Sequence, residues 1–209
     1  MFFFLILNLL PLSEVLEYKL YWVGIEAGKL TLKYEEFSEI VEIKMFSQTT
    51  GIAKTFYYMD DEIYSIVRKS DFQTLYYKKN IKEKKKQKEE ISIFFPEEKV
   101  YFYKYIRFFD FFNTDTLSIF FLLRFKKSFE NPIRVYERGK FYEVFIEEEK
   151  EYKFQYKGRN FLTNKITLKR KDKENSNIVI YFLNNKEKIP ISIEFSFPYG
   201  TLKAILKCY

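Results

Sequence analysis

The chain has 209 residues, enough for one domain with a sizeable buried core. It carries 36 basic and 29 acidic residues, a net charge of +7, no histidine and a single cysteine, Cys208. Those counts exclude a histidine general base, Ser-His and Cys-His pairs, an intrachain disulfide and a cysteine-based zinc site. The excess charge is local, because Lys78 to Glu90 holds seven lysines against three glutamates. A short run of this kind reads as a solvated strand pair, with lysines that discourage edge-to-edge pairing, before it reads as a polyanion site.

Met1 to Leu10 is apolar apart from Asn8. It falls short of the ~20 apolar residues a membrane-spanning helix needs. Residues 1–13 are therefore read as a secretory leader or its remnant, although the first basic residue is Lys19; a buried first strand is the alternative. Residues 14–209 are expected to form one β-rich domain.

Tyr18 to Tyr34 opens that domain with two alternating runs around G-I-E-A-G, so Gly24 and Gly28 predict a β-hairpin. Period-two patterns continue through Leu30–Tyr34, Val41–Met45, Glu62–Val67 and Phe72–Lys79. A short helix is expected near 51–59. Phe94 to Phe112 is the densest aromatic segment, and its rings are expected to be covered, chiefly by core. Asn113-Thr114-Asp115-Thr116 supplies helix-capping residues, and S-I-F-F-L-L-R follows, which predicts a helix over about 115–125. It is apolar nearly all round and so belongs in the core, with Arg124 reaching solvent or a carboxylate. Beyond it, 141–146, 152–156, 161–168, 178–183 and 191–197 read as strands, with a turn at Glu147-Glu148-Glu149. Pro198-Tyr199-Gly200 turns the chain into Leu202, Ala204 and Leu206. The fold class that results is mainly β: a single curved antiparallel sheet or half-barrel with one buried helix.

Four segments together resemble a known family. They are Y-K-L-Y-W-V-G-I-E-A-G at 18–28, D-T-L-S-I-F-F-L-L-R at 115–124, I-V-I-Y-F-L-N-N-K-E-K-I-P-I-S-I-E at 178–194 and F-P-Y-G-T-L-K-A-I-L at 197–206. In that order, over nearly the whole chain, they are similar to the bacterial family called domain of unknown function 3108. The resemblance implies an exported protein of the periplasm or cell envelope, with a leader, antiparallel β architecture and no established activity. Its motif residues here are Gly24, Gly28, Asp115, Ser118, Arg124, Pro190 and Gly200, and they look structural. Where the family often has an aspartate at a turn, this chain has Asn184-Asn185, so no metal or acid role is expected there. The architecture is also similar to the half-barrels of periplasmic lipoprotein carriers, in which a concave sheet holds acyl chains.

Catalytic chemistry finds little support. Asp60-Asp61-Glu62 lacks cation-loop spacing and reads as a turn. Ser118 lacks a nucleophile elbow, and neither phosphate-binding glycine motif occurs. Aromatics and lysines fall on opposite sides of the strands, so a nucleic-acid stacking surface is not expected. No cofactor, metal or catalytic residue is nominated. The expected function is a non-enzymatic envelope protein, at most peripherally membrane-associated, that holds a lipid or other apolar ligand. Trp22, Phe109, Phe112, Phe120 and Leu123 are the candidate lining residues. The alternative is an assembly partner that docks through an aromatic or basic surface, Lys82 to Lys88 included.

Overall fold

The structure is a computed structural model that describes residues 13–56, 58–83, 86–125, 130–173, 176–198 and 200–207. The leader expected over 1–13 lies outside the described residues except for Ser13, which begins the first strand. Eight strands form a meander over the first half: β1 (Ser13–Trp22), β2 (Ile25–Glu36), β3 (Ile40–Thr49), β4 (Met59–Arg68), β5 (Thr74–Glu83), β6 (Lys86–Phe95), β7 (Val100–Tyr103) and β8 (Tyr105–Phe108). The second half supplies β9 (Thr114–Asp115), β10 (Ile133–Glu137), β11 (Lys140–Tyr156), β12 (Arg159–Arg170), β13 (Asn177–Leu183), β14 (Pro190–Phe197) and β15 (Gly200–Leu206). Helix α1 (Gly51–Phe56) joins β3 to β4, and α2 (Ser118–Phe125) follows β9.

All fifteen strands belong to one sheet, in the order β8 to β1, then β15 down to β9. The fold is mainly β, as the sequence predicts. Each ladder joins neighbours in sequence except the central one, where β1 pairs antiparallel with β15, with Tyr18 opposite Leu206 and Leu20 opposite Ala204. Among the described residues only β9 and β10 pair in parallel.

The sheet rolls until its two arms face each other. Tyr136 on β10 meets Tyr77 on β5 at 5.7 Å and Phe94 on β6 at 4.9 Å between ring centres, both edge-on. The Ser92 and Tyr136 hydroxyls lie 2.5 Å apart. The Gly139 amide donates to Glu90, and the Thr74 amide to the Asn113 carbonyl. Side chains and turns thus close the roll, without a ladder between the end strands β8 and β9. Alternation puts Leu16, Tyr18 and Leu20 of β1, Leu30, Leu32 and Tyr34 of β2, and Ile191 and Ile193 of β14 on the inner face.

Helix α2 lies inside the roll, with Ser118 to Arg124 all buried. Eight residues are too few for a helix to stand alone. Burial of Phe120, Phe121, Leu122 and Leu123, on the order of 2 kcal/mol each, supplies what local propensity cannot. Phe121 stacks on Tyr34 at 5.1 Å, and Phe120 meets Phe195 edge-on at 6.3 Å.

Three expectations need correction. Glu147 to Glu149 do not turn the chain but lie within the 17-residue strand β11, at a register shift beside Ile146. Cross-strand partners hold them extended: Lys169 on Glu147, Lys165 on Glu148 and Asn164 on Glu149. Asp60, Asp61 and Glu62 also sit in a strand, β4, each in register with a residue of β5. The aromatic segment is not all core. Phe94, Tyr101 and Phe109 are buried, whereas Phe95, Phe102, Tyr105 and Phe108 are exposed because β6 to β8 form an uncovered arm.

Candidate functional site

The segment entering α2 is built around Asp115, which is fully buried. One carboxylate oxygen, Oδ1, accepts the backbone N–H groups of Leu117 at 2.8 Å and Ser118 at 3.0 Å, which caps the helix. The other, Oδ2, accepts hydroxyls from Ser65 at 2.5 Å, Ser118 at 2.7 Å and Thr74 at 2.8 Å. Asp115 therefore ties the helix start to β4 and β5. At the other end Arg124, 5% exposed, is gripped bidentately by Glu14 of β1 and donates from Nε to the Glu187 carbonyl at 2.8 Å. The Tyr18 hydroxyl donates to the Pro190 carbonyl at 2.8 Å, which ties β1 to the start of β14. Burial holds the Tyr18 phenol far above its ordinary range, so it stays a neutral donor.

Beside this anchored helix lies a cavity of 280 Å³. Leu117, Ile119 and Phe120 form its helical wall. Met45 and Ile63 face them from β3 and β4, and Val135, Val144, Leu168, Ile178 and Phe195 from the second half. Twenty residues line it, whereas two larger depressions, of 570 and 470 Å³, have seven lining residues each. Its volume falls just below the ~300–1,000 Å³ of most small-molecule sites, and its apolar walls with a few polar groups are their usual make-up.

The polar groups gather at one end. Glu137 accepts from Lys79 at 3.1 Å and from Arg170 at 3.3 Å, and the three side chains are only 12–18% exposed. Arg170 is fixed further by Asp172 at 2.7 Å and by the Tyr142 ring 3.7 Å beneath its guanidinium. Burial alone would raise the Glu137 carboxyl, but Lys79, Arg138 and Arg170 outweigh it and hold it below the ordinary value of 4.5. Glu90, opposite Lys79 across the β5–β6 ladder, is shifted upward, because burial dominates there over Lys79.

Of the five lining candidates, Phe120 is on the cavity wall. Leu123 is buried in the core away from it, and Phe109 packs against Phe94 and Tyr101 in the aromatic cluster. Phe112 is half-buried and off the wall. Trp22 is 38% exposed at the β1 end, against Phe197. These four therefore lie off the wall of this cavity: Leu123 and Phe109 in filled core, Phe112 half-buried and Trp22 exposed. Gly24 occupies the β1–β2 turn at φ +85°, and Gly28 lies within β2, where a Cβ would come 2.3 Å from the Gln48 carbonyl oxygen. Gly200, at φ +137°, begins β15 beside Val23 and Trp22.

Lys79, Glu137 and Arg170 escaped sequence reasoning, Lys79 because it sits in a run read as solvated. Strand parity was the available signal. Each stands two residues beyond a buried apolar neighbour on its own strand: Tyr77, Val135 and Leu168. Among the described residues no helix is long and apolar enough to cross a membrane, and no group of three or more Asp, Glu or Cys could hold a metal ion.

Such a molecule is a rolled antiparallel sheet wrapped around a helix pinned at both ends, with an apolar cavity at the helix's side. The family model described as "Protein of unknown function (DUF3108)" matches residues 17–207, and the chain belongs to that family. No curated protein matches it. Among solved structures the chain is similar to a beta-barrel-like protein of domain of unknown function DUF1849 from Brucella abortus. That likeness has 9% identity and a TM-score of 0.57, and covers 95% of this chain and 96% of the other. At such identity it shows the fold alone.

Proposed function

We propose that this protein is a non-enzymatic component of the cell envelope that holds an apolar ligand between α2 and the inner face of the sheet. The observation that carries this reading is the cavity itself, walled by Leu117, Ile119 and Phe120 on a helix that Asp115 and Arg124 anchor at both ends. The anchors keep the helix from collapsing into the space. The hydroxyls nearest the helix support a role without catalysis: Ser65, Thr74 and Ser118 are fully buried and all donate to Asp115. To test the reading, purified protein is extracted for lipid and probed with decanol and decanoate, alongside Val135→Phe, which narrows the cavity. Binding by the parent and its weakening in the narrowed variant is the expected result. No co-purifying lipid and no binding of decanol or decanoate by the parent would reject it.

A second reading has its own observation. Ile93, Phe102 and Ile106 stand directly across from one another on β6, β7 and β8, all exposed, beside the free edge of β8. Exposed apolar rows of this kind mark docking surfaces. Pull-down from envelope extracts with Phe102→Lys against the parent tests it; an unchanged set of captured partners refutes it.

A further inference from the structure

The polar end of the cavity narrows the ligand class, on the reading that the cavity is a ligand site. The wall carries Lys79, Arg170 and the exposed Lys173 against Glu137, while Asp172 pairs with Arg170 from outside the wall and Glu90 stands opposite Lys79. Arg170 already meets Asp172 and Glu137, whereas the Lys79 ammonium has three donors and Glu137 occupies one of them. A second, independent feature lies on the same wall: the Asn177 Oδ1 is buried with no hydrogen-bond partner. A buried acceptor left unmet costs about 1–3 kcal/mol, so a ligand that brings a donor there relieves that cost.

We infer that the cavity takes a single-chain amphiphile with an anionic head, a carboxylate or phosphate monoester, whose tail lies against α2. The head meets Lys79 and Arg170; a phosphate monoester monoanion also keeps a P–OH that donates to the Asn177 Oδ1, which an ionised carboxylate cannot do. A neutral chain would leave two of the three Lys79 donors unmet in a partly buried site. A cationic head would meet like charge in a poorly solvated site. The volume, 280 Å³, suits one chain and excludes a two-chain lipid lying wholly inside.

Calorimetric titration of the delipidated full chain tests this with five probes: decanoate, decyl phosphate, decanol, decyltrimethylammonium and inorganic phosphate. Both decyl anions are expected to bind at least tenfold more tightly than decanol, and the cation not measurably. Inorganic phosphate separates a head that binds alone from one that needs its tail, and no heat is expected from it. Lys79→Gln should cost the decyl anions about tenfold and leave decanol unchanged. If that variant does not fold, Asn177→Leu replaces it, with a several-fold loss for decyl phosphate only. Equal affinity for decanol and the anions would overturn the head-group inference and leave the cavity reading standing. Binding by inorganic phosphate as tight as by decyl phosphate would overturn the amphiphile. Failure of every decyl probe would overturn both readings.

Discussion

Replacing Asp115 with alanine should unfasten α2. The substitution removes one acceptor for two backbone amides and three hydroxyls. The Ser65 and Ser118 hydroxyls are 2.8 Å apart and can satisfy each other, which relieves part of the loss. The amides of Leu117 and Ser118 have no such recourse in a buried first turn. An exposed N-cap is worth about 1 kcal/mol, but here its loss leaves two buried amides and one hydroxyl unmet, each costing about 1–3 kcal/mol. With partial relaxation the sum is about 3–5 kcal/mol, a large share of the ~5–15 kcal/mol that stabilises a typical domain. Asp115→Asn keeps one acceptor oxygen for the two amides, and the hydroxyls can rotate to accept from its NH₂, so its cost is about 1–2 kcal/mol. Urea unfolding followed by far-UV circular dichroism reads both variants as midpoint shifts at constant slope. An Asp115→Ala shift below about 0.5 kcal/mol, the range of an ordinary surface change, would refute the cap. An asparagine variant as unstable as the alanine one would refute the division of labour between the two oxygens.

Other outcomes follow from single features. Gly28→Ala would press a Cβ to 2.3 Å from the Gln48 carbonyl oxygen and should cost about 1–3 kcal/mol by urea titration, more than Gly24→Ala, whose Cβ meets nothing and whose cost is the ~1 kcal/mol of a left-handed backbone. Arg124→Met and Glu14→Gln each break the bidentate pair and should both lower the thermal midpoint; no shift in either would show that the pair is not what fixes the helix end. Burial raises the Asp61 carboxyl to about 6, so its ionisation in the folded state is unfavourable above that pH. Asp61→Asn should therefore be more stable than the parent at pH 7.5, with the gain fading as pH falls from 6 towards 3.8; a constant difference across that window would contradict the burial effect. Glu137 has the opposite sign. Its carboxyl lies below 4.5, so its contribution is full above that value and lost as pH falls beneath it; Glu137→Gln should destabilise at pH 7 and converge with the parent in acid, as unfolding midpoints across pH would show.

Much of the architecture was legible because strand parity and helix capping are local. Alternation at Leu30, Leu32 and Tyr34 or at Ile191 and Ile193 needs only one half-buried face, and that period survives in the sequence. Asp115 and Ser118 were legible as the start of α2, since a capping residue acts on amides two and three positions away. The triple glutamate at 147–149 misled, because a run of like charge resembles a turn until its partners arrive from β12. Those partners are 15 to 22 residues distant in the chain.

By itself, then, the sequence determined an antiparallel β chain with one buried, capped helix, and with no histidine and one cysteine it left no histidine base and no intrachain disulfide. Only the tertiary structure decided that the sheet rolls until β5 and β6 face β10, that Arg124 reaches Glu14 across 110 residues, and that Lys79, Glu137 and Arg170 meet at the end of a cavity. The physical reason is range. Backbone hydrogen bonds and side-chain parity act over a few residues, whereas a cavity is the space left when distant surfaces fail to fill one another, and no local pattern records that shortfall.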